Sequence, residues 1–286
     1  METPSSAPLA ALVQMTSGID PAVNLATIDR AVADAAGRGA SMVFLPEMSL
    51  LLDRDRQRSA AHILREADST WPAALQDIAR RHAIWLHSGS MPLLSDDGDR
   101  RVNRSHVIAA DGRIMARYDK IHMFDVALPS GENWTESAAY AGGTAIEVVD
   151  TPLGRLGLSI CYDLRFPELY RALVDQGAEL VAVPAAFTVS TGEAHWHVLL
   201  RARAIETGCH ILAAAQAGTH ADGRATYAHS VIIDPWGTVI AEAAATNHAG
   251  DMGYDLLLAA VDAGALTRAR QAIPLARSRS VRAIKL

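Results

Sequence analysis

Short apolar runs alternate with segments of helical periodicity over the first third of the chain. Each apolar run has the length of a buried strand, and each helical segment repeats its apolar residues every three or four positions. Asp20-Pro21 is a typical helix start, and Gly37 is a typical stop. The strands predicted here are residues 8–15, 42–45 and 83–87, and the helices between them are residues 20–37 and 71–79.

The pattern changes to hairpins in the middle of the chain and then returns to alternating helices and strands. Asp111-Gly112, a strong tight-turn dipeptide, separates the first two hairpin strands. The predicted hairpins span residues 107–116, 144–160 and 230–242, the helices 167–176 and 194–206, and the single strands 179–183, 210–216 and 256–261. This succession favours an α/β fold in which two sheets pack face to face under outer helices.

Composition supports a globular protein that acts on a small molecule. Hydrophobic residues make up 50% of the 286 residues and charged residues 20%, enough for a sizeable core. The net charge is −6 without a block of like charges, which argues against a nucleic-acid surface or a polybasic membrane patch. We predict a single domain over residues 1–286, with its core at about 8–265 and a C-terminal tail at 266–286.

The N-terminal apolar stretch and the cysteine content point to the cytoplasm. Residues 9–15 are too short and too weakly flanked for a signal peptide, and no run approaches the ~20 apolar residues of a membrane span. Two cysteines cannot build a disulfide framework. A reducing compartment is therefore expected, and any sulfur chemistry should be that of a thiol.

Cys161 occupies a position that suits a nucleophile. It lies where a predicted strand ends and a helix begins a few residues later, a sharp turn at which following amide groups can point at an oxyanion. A buried inert thiol is the alternative that position alone leaves open. Cys209 lies between a glycine and an apolar strand, and we interpret it as buried and inert.

Glu47 and Lys120 are candidate partners of that thiol. Glu47 follows a predicted strand through Pro46, where a carboxylate beside a thiol would act as a general base; capping of a loop or helix is the alternative. Lys120 ends a hairpin and would either stabilise a developing alkoxide or be solvated. The sequence contains no G-x-S-x-G elbow, phosphate loop or dinucleotide fingerprint, which removes the usual rival chemistries.

The histidines do not predict a metal site. Their spacing matches no zinc template, since there is neither an H-E-x-x-H nor a pair of C-x-x-C motifs. The histidines considered are His195, His197, His210, His220 and His229. We therefore expect no metal.

Three segments together resemble the nitrilase, or carbon-nitrogen hydrolase, superfamily. They are a strand that ends in P-E at Glu47, the Y-x-K-x-H-x-F-D pattern around Lys120, and C-Y-D-L-R-F-P-E-L from Cys161. The likeness runs from about Ala11 to Val261 in the family's order. It implies a four-layer αββα sandwich with two central mixed β-sheets, and a Glu-Lys-Cys triad. It also implies an additional glutamate near the site at Glu136, and no metal or organic cofactor.

Within the superfamily, the segments at 187–196, 200–206 and 213–216 are most similar to the deaminated glutathione amidase branch. The omega-amidase branch, which acts on 2-oxoglutaramate, ranks second. Departures are Met48 after the glutamate and His197 in A-H-W-H, where related sequences often carry an acidic residue. The open alternatives are a nitrilase, an N-carbamoyl amino acid amidohydrolase and a non-catalytic binding protein.

The resemblance also implies roles for residues around the triad. The backbone N–H of Tyr162 would help Lys120 hold the oxyanion, and Lys120 would favour the thiolate of Cys161. Independently of the resemblance, Arg165 stands four residues after Cys161, and its guanidinium would form a two-point pair with a substrate carboxylate, unless it forms a structural ion pair with Asp163 or Glu168.

By the same resemblance Phe187 and Thr191 would line the substrate pocket. A homodimer or a higher homo-oligomer is implied, formed through the strand and helix after Cys161 and the segment 270–286.

Overall fold

The computed structural model describes residues 7–98, 100–128, 131–245 and 253–274. Its elements alternate much as the hydrophobic pattern predicts. The strands are β1 (Leu9–Met15), β2 (Met42–Phe44), β3 (Trp85–His87), β4 (Met91–Leu94), β5 (Arg101–Ile108), β6 (Ile114–Asp119), β7 (Asp125–Ala127), β8 (Asn133–Thr135), β9 (Val148–Thr151), β10 (Gly154–Leu158), β11 (Leu180–Ala182), β12 (His210–Ala213), β13 (Ala217–Thr219), β14 (Ala225–Tyr227), β15 (Val231–Ile233), β16 (Val239–Glu242) and β17 (Tyr254–Ala260). The helices are α1 (Pro21–Gly37), α2 (Arg56–Ala60), α3 (Thr70–His82), α4 (Pro167–Asp175), α5 (Val189–Thr207) and α6 (Ala263–Ala272).

Two mixed sheets form the centre of the fold. The first has seven strands in the order β17-β1-β2-β3-β5-β4, with β6 paired to β5; β1, β2 and β3 run parallel. The second has six strands in the order β16-β15-β12-β11-β10-β9, with β10, β11 and β12 parallel. In each sheet the parallel strands lie in the middle, so their carboxyl ends share one edge.

Alternate side chains of β1 show how the layers are stacked. Ala10 and Leu12 pack in the core that holds the second sheet with α4 and α5. Ala11 and Val13 point the other way and pack with α1 and α3. Because successive side chains of a strand face opposite sides of its sheet, the order of layers is helices, sheet, sheet, helices. The predicted αββα sandwich is confirmed.

Helix α5 begins earlier than predicted, at Val189 instead of Ala194. Gly192 occupies its first turn because a Cβ there would lie 2.1 Å from the ring of Tyr227 on β14. Tight packing against that ring therefore requires a glycine, which lies two residues before the predicted start of the helix. The two-stranded hairpins β7-β8 and β13-β14 were also not predicted, because strands of three residues carry too little periodicity.

None of the helices in the described ranges is both long enough and apolar enough to cross a membrane. Residues 266–274 of the predicted C-terminal tail include most of α6, and residues 275–286 lie outside the described residues. The predicted single domain and the predicted oligomer stay predictions.

Candidate active site

Four side chains from separate parts of the chain meet where the central strands end. Glu47 lies three residues beyond β2, and Lys120 follows β6 directly. Cys161 lies three residues beyond β10, and Glu136 begins a single 3₁₀ turn after β8. The sequence placed Glu47, Lys120 and Cys161 at the ends of predicted strands or hairpins, and the packing of the two sheets brings those ends together.

Lys120 lies between the two carboxylates. Its ammonium donates to Oε1 of Glu47 at 3.1 Å and to both oxygens of Glu136 at 3.1 and 2.9 Å. Only 2% of the Lys120 side chain is exposed, so water cannot take the place of either partner. Burial alone would lower the pKa of Lys120, but attraction to Glu136 and Glu47 raises it well above its ordinary value. The lysine is therefore an ammonium ion at any physiological pH.

Each oxygen of the Glu47 carboxylate has a fixed donor. Oε1 accepts from Asn103 Nδ2 at 2.9 Å in addition to Lys120, and Oε2 accepts from the backbone N–H of Ala186 at 2.9 Å. The amide of Gln216 donates to the Glu47 carbonyl at 2.9 Å. Glu47 is thus oriented by both sheets. Asn103 and Gln216 were not predicted as site residues. Both are amides that are buried in the structure, and an amide within an apolar predicted strand is the only sequence signal that could have identified them.

Glu136 is fixed in the same way. Besides its bonds to Lys120, its Oε2 accepts from the backbone N–H of Phe124 at 2.7 Å. The Glu136 carboxylate is 14% exposed, more than Glu47 at 6%. Glu136 therefore holds the ammonium from the solvent side, and Glu47 holds it from the inner side.

The turn at Cys161 is sharp, as predicted. Cys161 has a φ of 49°, a left-handed conformation that is uncommon for a residue with a side chain. Its N–H donates to Pro184 O at 2.9 Å. Asp163 stabilises the turn from within, because its carboxylate accepts from the backbone N–H of Ile160 at 2.9 Å and from Tyr118 Oη at 2.7 Å.

Burial, together with the adjacent carboxylate of Glu47, raises the pKa of the Cys161 thiol well above its ordinary value. Lys120 acts in the opposite direction and only partly offsets these causes. Lys120 thus favours the thiolate, the direction that the sequence predicts, but burial and Glu47 outweigh it and the net pKa shift is upward. The resting sulfur therefore holds its proton, and the Glu47 carboxylate lies near it.

A glycine packs directly against the segment that carries Glu47. Gly89 has a φ of 65°, and a Cβ built on it would lie 1.9 Å from the Pro46 carbonyl oxygen. Ser90 Oγ accepts from Met48 N at 3.0 Å on the same segment. The loop after β3 therefore presses directly against the loop after β2, and only a glycine allows that approach.

A cavity of about 330 Å³ opens onto Cys161, Glu47, Lys120 and Glu136. This volume falls within the range of small-molecule pockets, about 300–1,000 Å³. The four other residues predicted for the site, which are Tyr162, Arg165, Phe187 and Thr191, all line it. The unpredicted hairpins contribute further walls, including Trp134 on β8 and Thr226 on β14.

Arg165 lies against two aromatic rings of the cavity wall. Its guanidinium carbon is 5.7 Å from the centroids of both Tyr162 and Phe187, and Nη2 is 3.3 Å from His195 Nδ1. Among the described residues, no carboxylate forms an ion pair with it; in particular, Asp163 bonds to Ile160 and Tyr118 instead. The structural ion pair considered as the alternative is therefore not formed with Asp163 or with Glu168.

The cavity is also lined by arginines that the sequence analysis did not single out. Arg224 pairs with Asp222 at 2.7 Å and lies over the ring of Trp134, while Arg101 donates to the Arg56 carbonyl at 3.0 Å. Arg54 also lines the cavity, so positive charge lies along its wall in addition to Arg165. No local pattern marks these residues, since each reaches the cavity from a different loop or strand.

Cys209 lies outside this cavity. It is buried, and burial raises the pKa of its thiol above its ordinary value. Its sulfur accepts from Arg270 Nη2 at 3.2 Å. The prediction of a buried cysteine is confirmed.

Comparison with known proteins identifies the family of this chain and several of its relatives. The model of the family described as carbon-nitrogen hydrolase matches residues 9–271. The deaminated glutathione amidase of Yersinia enterocolitica is 43% identical over 234 residues, which cover 81% of this chain and 81% of that protein.

Solved structures agree with this match. The NitFhit protein of C. elegans superposes with a TM-score of 0.86 at 36% identity, over 97% of this chain and 66% of that one. A mutant of the amidase from Nesterenkonia sp. AN1 superposes with a TM-score of 0.75 at 28% identity, over 95% of this chain and 99% of that one. That structure is described as showing Michael addition of acrylamide at the active site cysteine.

Proposed function

This chain belongs to the carbon-nitrogen hydrolase family, whose members act on carbon-nitrogen bonds other than peptide bonds, and we propose that it hydrolyses the amide of deaminated glutathione through Cys161. The observation that carries the proposal is the placement of Cys161, Glu47 and Lys120 around one cavity that also contains Arg165. The name of the Yersinia relative and the cysteine adduct described for the Nesterenkonia amidase support the substrate and the nucleophile respectively.

Glu47 acts as the general base in this mechanism. The Cys161 thiol gives its proton to the Glu47 carboxylate as the sulfur attacks the amide carbonyl carbon, so no free thiolate has to accumulate beforehand. The Glu47 carboxylate lies near the thiol and is the acceptor for that proton. The raised pKa of the thiol makes the transfer depend on Glu47.

The attack places negative charge on the carbonyl oxygen. The Lys120 ammonium and the backbone N–H of Tyr162 stabilise this oxyanion, an effect worth about 3–4 kcal/mol for one well-placed donor in other enzymes. Glu136 keeps the ammonium aimed into the site through its two hydrogen bonds. Lys120 therefore serves as an electrostatic group and remains protonated throughout.

Collapse of the tetrahedral intermediate breaks the carbon-nitrogen bond. Protonated Glu47 delivers its proton to the leaving nitrogen, and a thioester to Cys161 remains. Glu47 then takes a proton from a water molecule, which attacks the thioester and releases the carboxylic acid and the thiol. One water is consumed, and the products are the acid and the amine.

Arg165 is the proposed anchor for the carboxylate of the substrate's 2-oxo acid end. A guanidinium without a carboxylate partner among the described residues, held against two rings, can form a two-point pair with that group. Phe187 and Thr191 line the wall beside it. The 2-oxoglutaramate molecule has the same end, so Arg165 by itself does not separate the two substrates.

The arginines that line the cavity support deaminated glutathione over 2-oxoglutaramate as the substrate. Beyond its amide nitrogen, deaminated glutathione continues into a dipeptide with a second carboxylate, whereas 2-oxoglutaramate ends in a primary amide. Arg54, Arg101 and Arg224 line the same cavity and would attract the second carboxylate. An omega-amidase acting on 2-oxoglutaramate is the second candidate, because Arg165 serves both.

The deciding experiment compares amine release from deaminated glutathione with ammonia release from 2-oxoglutaramate. We expect the higher kcat/KM for deaminated glutathione, and no turnover of either by Cys161→Ala. The Cys209→Ala variant is the matched control and should retain activity. A preference for 2-oxoglutaramate would assign the omega-amidase reaction, and turnover that survives Cys161→Ala would contradict the proposed nucleophile.

A cytoplasmic location and assembly into a homodimer complete the proposed function. The location follows from the thiol chemistry, which a reducing compartment preserves. The dimer follows from the family resemblance, and its test is the mass of the protein in solution by light scattering.

A further inference from the structure

Two imidazoles and a carboxylate meet on the outer side of the second sheet. His197 lies on α5, His229 lies between β14 and β15, and Glu242 is the last residue of β16. Glu242 Oε1 is 2.9 Å from His197 Nε2 and 2.7 Å from His229 Nδ1. The three candidate ligand atoms all lie within 4.8 Å of one another. One carboxylate oxygen thus bridges two histidines from different elements.

The surrounding structure holds His229 in place. Ala228 and His229 have φ values of 68° and 59°, two consecutive left-handed residues without a glycine. Such a conformation is unfavourable and persists only where neighbouring contacts enforce it. Trp196, next to His197 on α5, donates its indole N–H to the His229 carbonyl at 2.8 Å. The backbone that aims His229 is therefore tied to the helix that carries His197.

Aromatic packing restrains both rings. The Tyr227 ring lies 4.6 Å from the ring of His229, and the His197 ring meets His229 edge-on at 5.4 Å. The side chains of His197, His229 and Glu242 are 31%, 22% and 34% exposed. The cluster is ordered by its neighbours and at the same time open to an ion from solvent.

We propose that His197, His229 and Glu242 form a Zn²⁺ site. Two imidazoles and one carboxylate are the ligands that this borderline ion accepts, with a water molecule in the fourth position. Ligand atoms of a tetrahedral zinc ion lie about 3.3 Å apart, given bonds of about 2.0–2.2 Å. The two separations from Glu242 Oε1, 2.9 and 2.7 Å, are shorter than this, so the oxygen would move away from both rings as the ion replaces the shared hydrogen bonds.

The site is distinct from the proposed amidase chemistry. None of the three residues belongs to the lining of the cavity beside Cys161. The ion would join α5, the segment before β15, and the end of β16. We therefore expect bound Zn²⁺ to raise the melting temperature, because a ligand that binds only the folded chain stabilises it.

The test is a Zn²⁺ titration of metal-free protein in competition with a chromophoric chelator. The titration uses the wild-type chain and Cys161→Ala, because the active-site thiol could itself bind the ion. We expect one Zn²⁺ per chain in both, a rise in melting temperature, and the visible absorption of a four-coordinate site when Co²⁺ replaces Zn²⁺. Mg²⁺ should not compete, since it prefers oxygen ligands.

Single substitutions identify the ligands. His197→Gln and His229→Gln should each weaken Zn²⁺ affinity at least about 100-fold. Loss of a residue that only hydrogen-bonds to a metal ligand typically weakens affinity about 10- to 100-fold. His62→Gln removes an exposed histidine elsewhere and should leave affinity unchanged. The proposal is overturned if the wild type shows no saturable binding, or if the binding and the cobalt spectrum survive both ligand substitutions.

Discussion

The backbone N–H of Ala186 donates to Oε2 of Glu47 at 2.9 Å across 139 residues of sequence. Glu47 follows β2 of the first sheet, and Ala186 follows β11 of the second. This bond therefore connects the carboxyl ends of strands from the two sheets at the point where Cys161 also lies. The proposed base is positioned by the packing of the sheets, and changes to that packing should alter catalysis.

Replacing Glu47 by glutamine should abolish most activity without unfolding the protein. The amide keeps the size of the side chain and can still accept from Ala186, but it cannot take the proton of Cys161. General base catalysis contributes about 10²- to 10⁴-fold, and we expect kcat to fall within that range. Glu168→Gln, which changes an exposed glutamate, is the control. Full kcat in Glu47→Gln would exclude Glu47 as the base.

Replacing Lys120 by methionine should cost stability as well as activity. Two carboxylates, Glu47 and Glu136, would remain near each other in a largely buried site without their shared cation. Removing one partner of a buried ion pair costs about 3–5 kcal/mol, and urea unfolding would measure it.

Adding Glu136→Gln to Lys120→Met tests the cause of that loss. The second substitution removes one of the two unpaired charges, so the double variant should be more stable than Lys120→Met. Equal or lower stability of the double variant would show that charge is not the cause.

Substitution of Arg165 should affect substrate binding more than turnover. We expect Arg165→Ala to raise KM for deaminated glutathione about 10- to 100-fold, corresponding to the ~1.5–3 kcal/mol of a hydrogen bond to a charged group. An uncharged amide should show no such change, and neither should Arg171→Ala, which removes an exposed arginine. An unchanged KM for the carboxylated substrate would rule out the anchor role.

Gly89→Ala should damage the site through the backbone. A Cβ at Gly89 would overlap the Pro46 carbonyl, next to Glu47, so the loop must shift. Gly39 provides a matched control, because its φ of 79° is also left-handed but its Cβ would contact nothing within 4 Å. Gly39→Ala should cost about 1–2 kcal/mol from the backbone conformation alone. We expect Gly89→Ala to lose more stability than Gly39→Ala, as measured by thermal unfolding, and to have a lower kcat. An equal loss of stability in the two variants would show that the loop adapts to the added Cβ.

Histidine 87 should make the protein sensitive to acid. Burial, with a smaller contribution from the nearby His106, lowers the pKa of His87 to about 3. Unfolding restores a pKa of about 6.5, so the unfolded chain gains a proton first, and stability is lost as the pH falls from 6.5 towards 3. His87 Nδ1 accepts from the backbone N–H of Gly89 at 3.2 Å. His87→Asn, whose amide oxygen can accept the same bond, removes this dependence. The stability difference between wild type and variant should change by about 3 kcal/mol from pH 7 to pH 4; a constant difference would contradict the shift.

Local pattern was sufficient for most of the fold. Asp20 caps α1 through its bond to the Ala22 N–H, as the Asp-Pro start predicts, and the predicted central strands are present with bounds shifted by a few residues. These features depend on periodicity and capping, which are properties of neighbouring residues. Helix α5 is the exception, because it begins at Val189, before the predicted Ala194, and its Gly192 packs against Tyr227 of a distant segment.

The sequence by itself determined which residues are candidates for the chemistry, because Glu47, Lys120 and Cys161 stand at predicted element ends in patterns that resemble a known family. Only the tertiary structure decided their partners. Asn103, Ala186 and the cavity arginines reach the site from segments that no local signal connects, and His197 meets Glu242 from 45 residues away. The protonation of Cys161 likewise depends on burial and on the balance of Glu47 against Lys120. Spacing along a chain specifies an element, whereas electrostatics and coordination depend on distances in space, which are set when the two sheets pack.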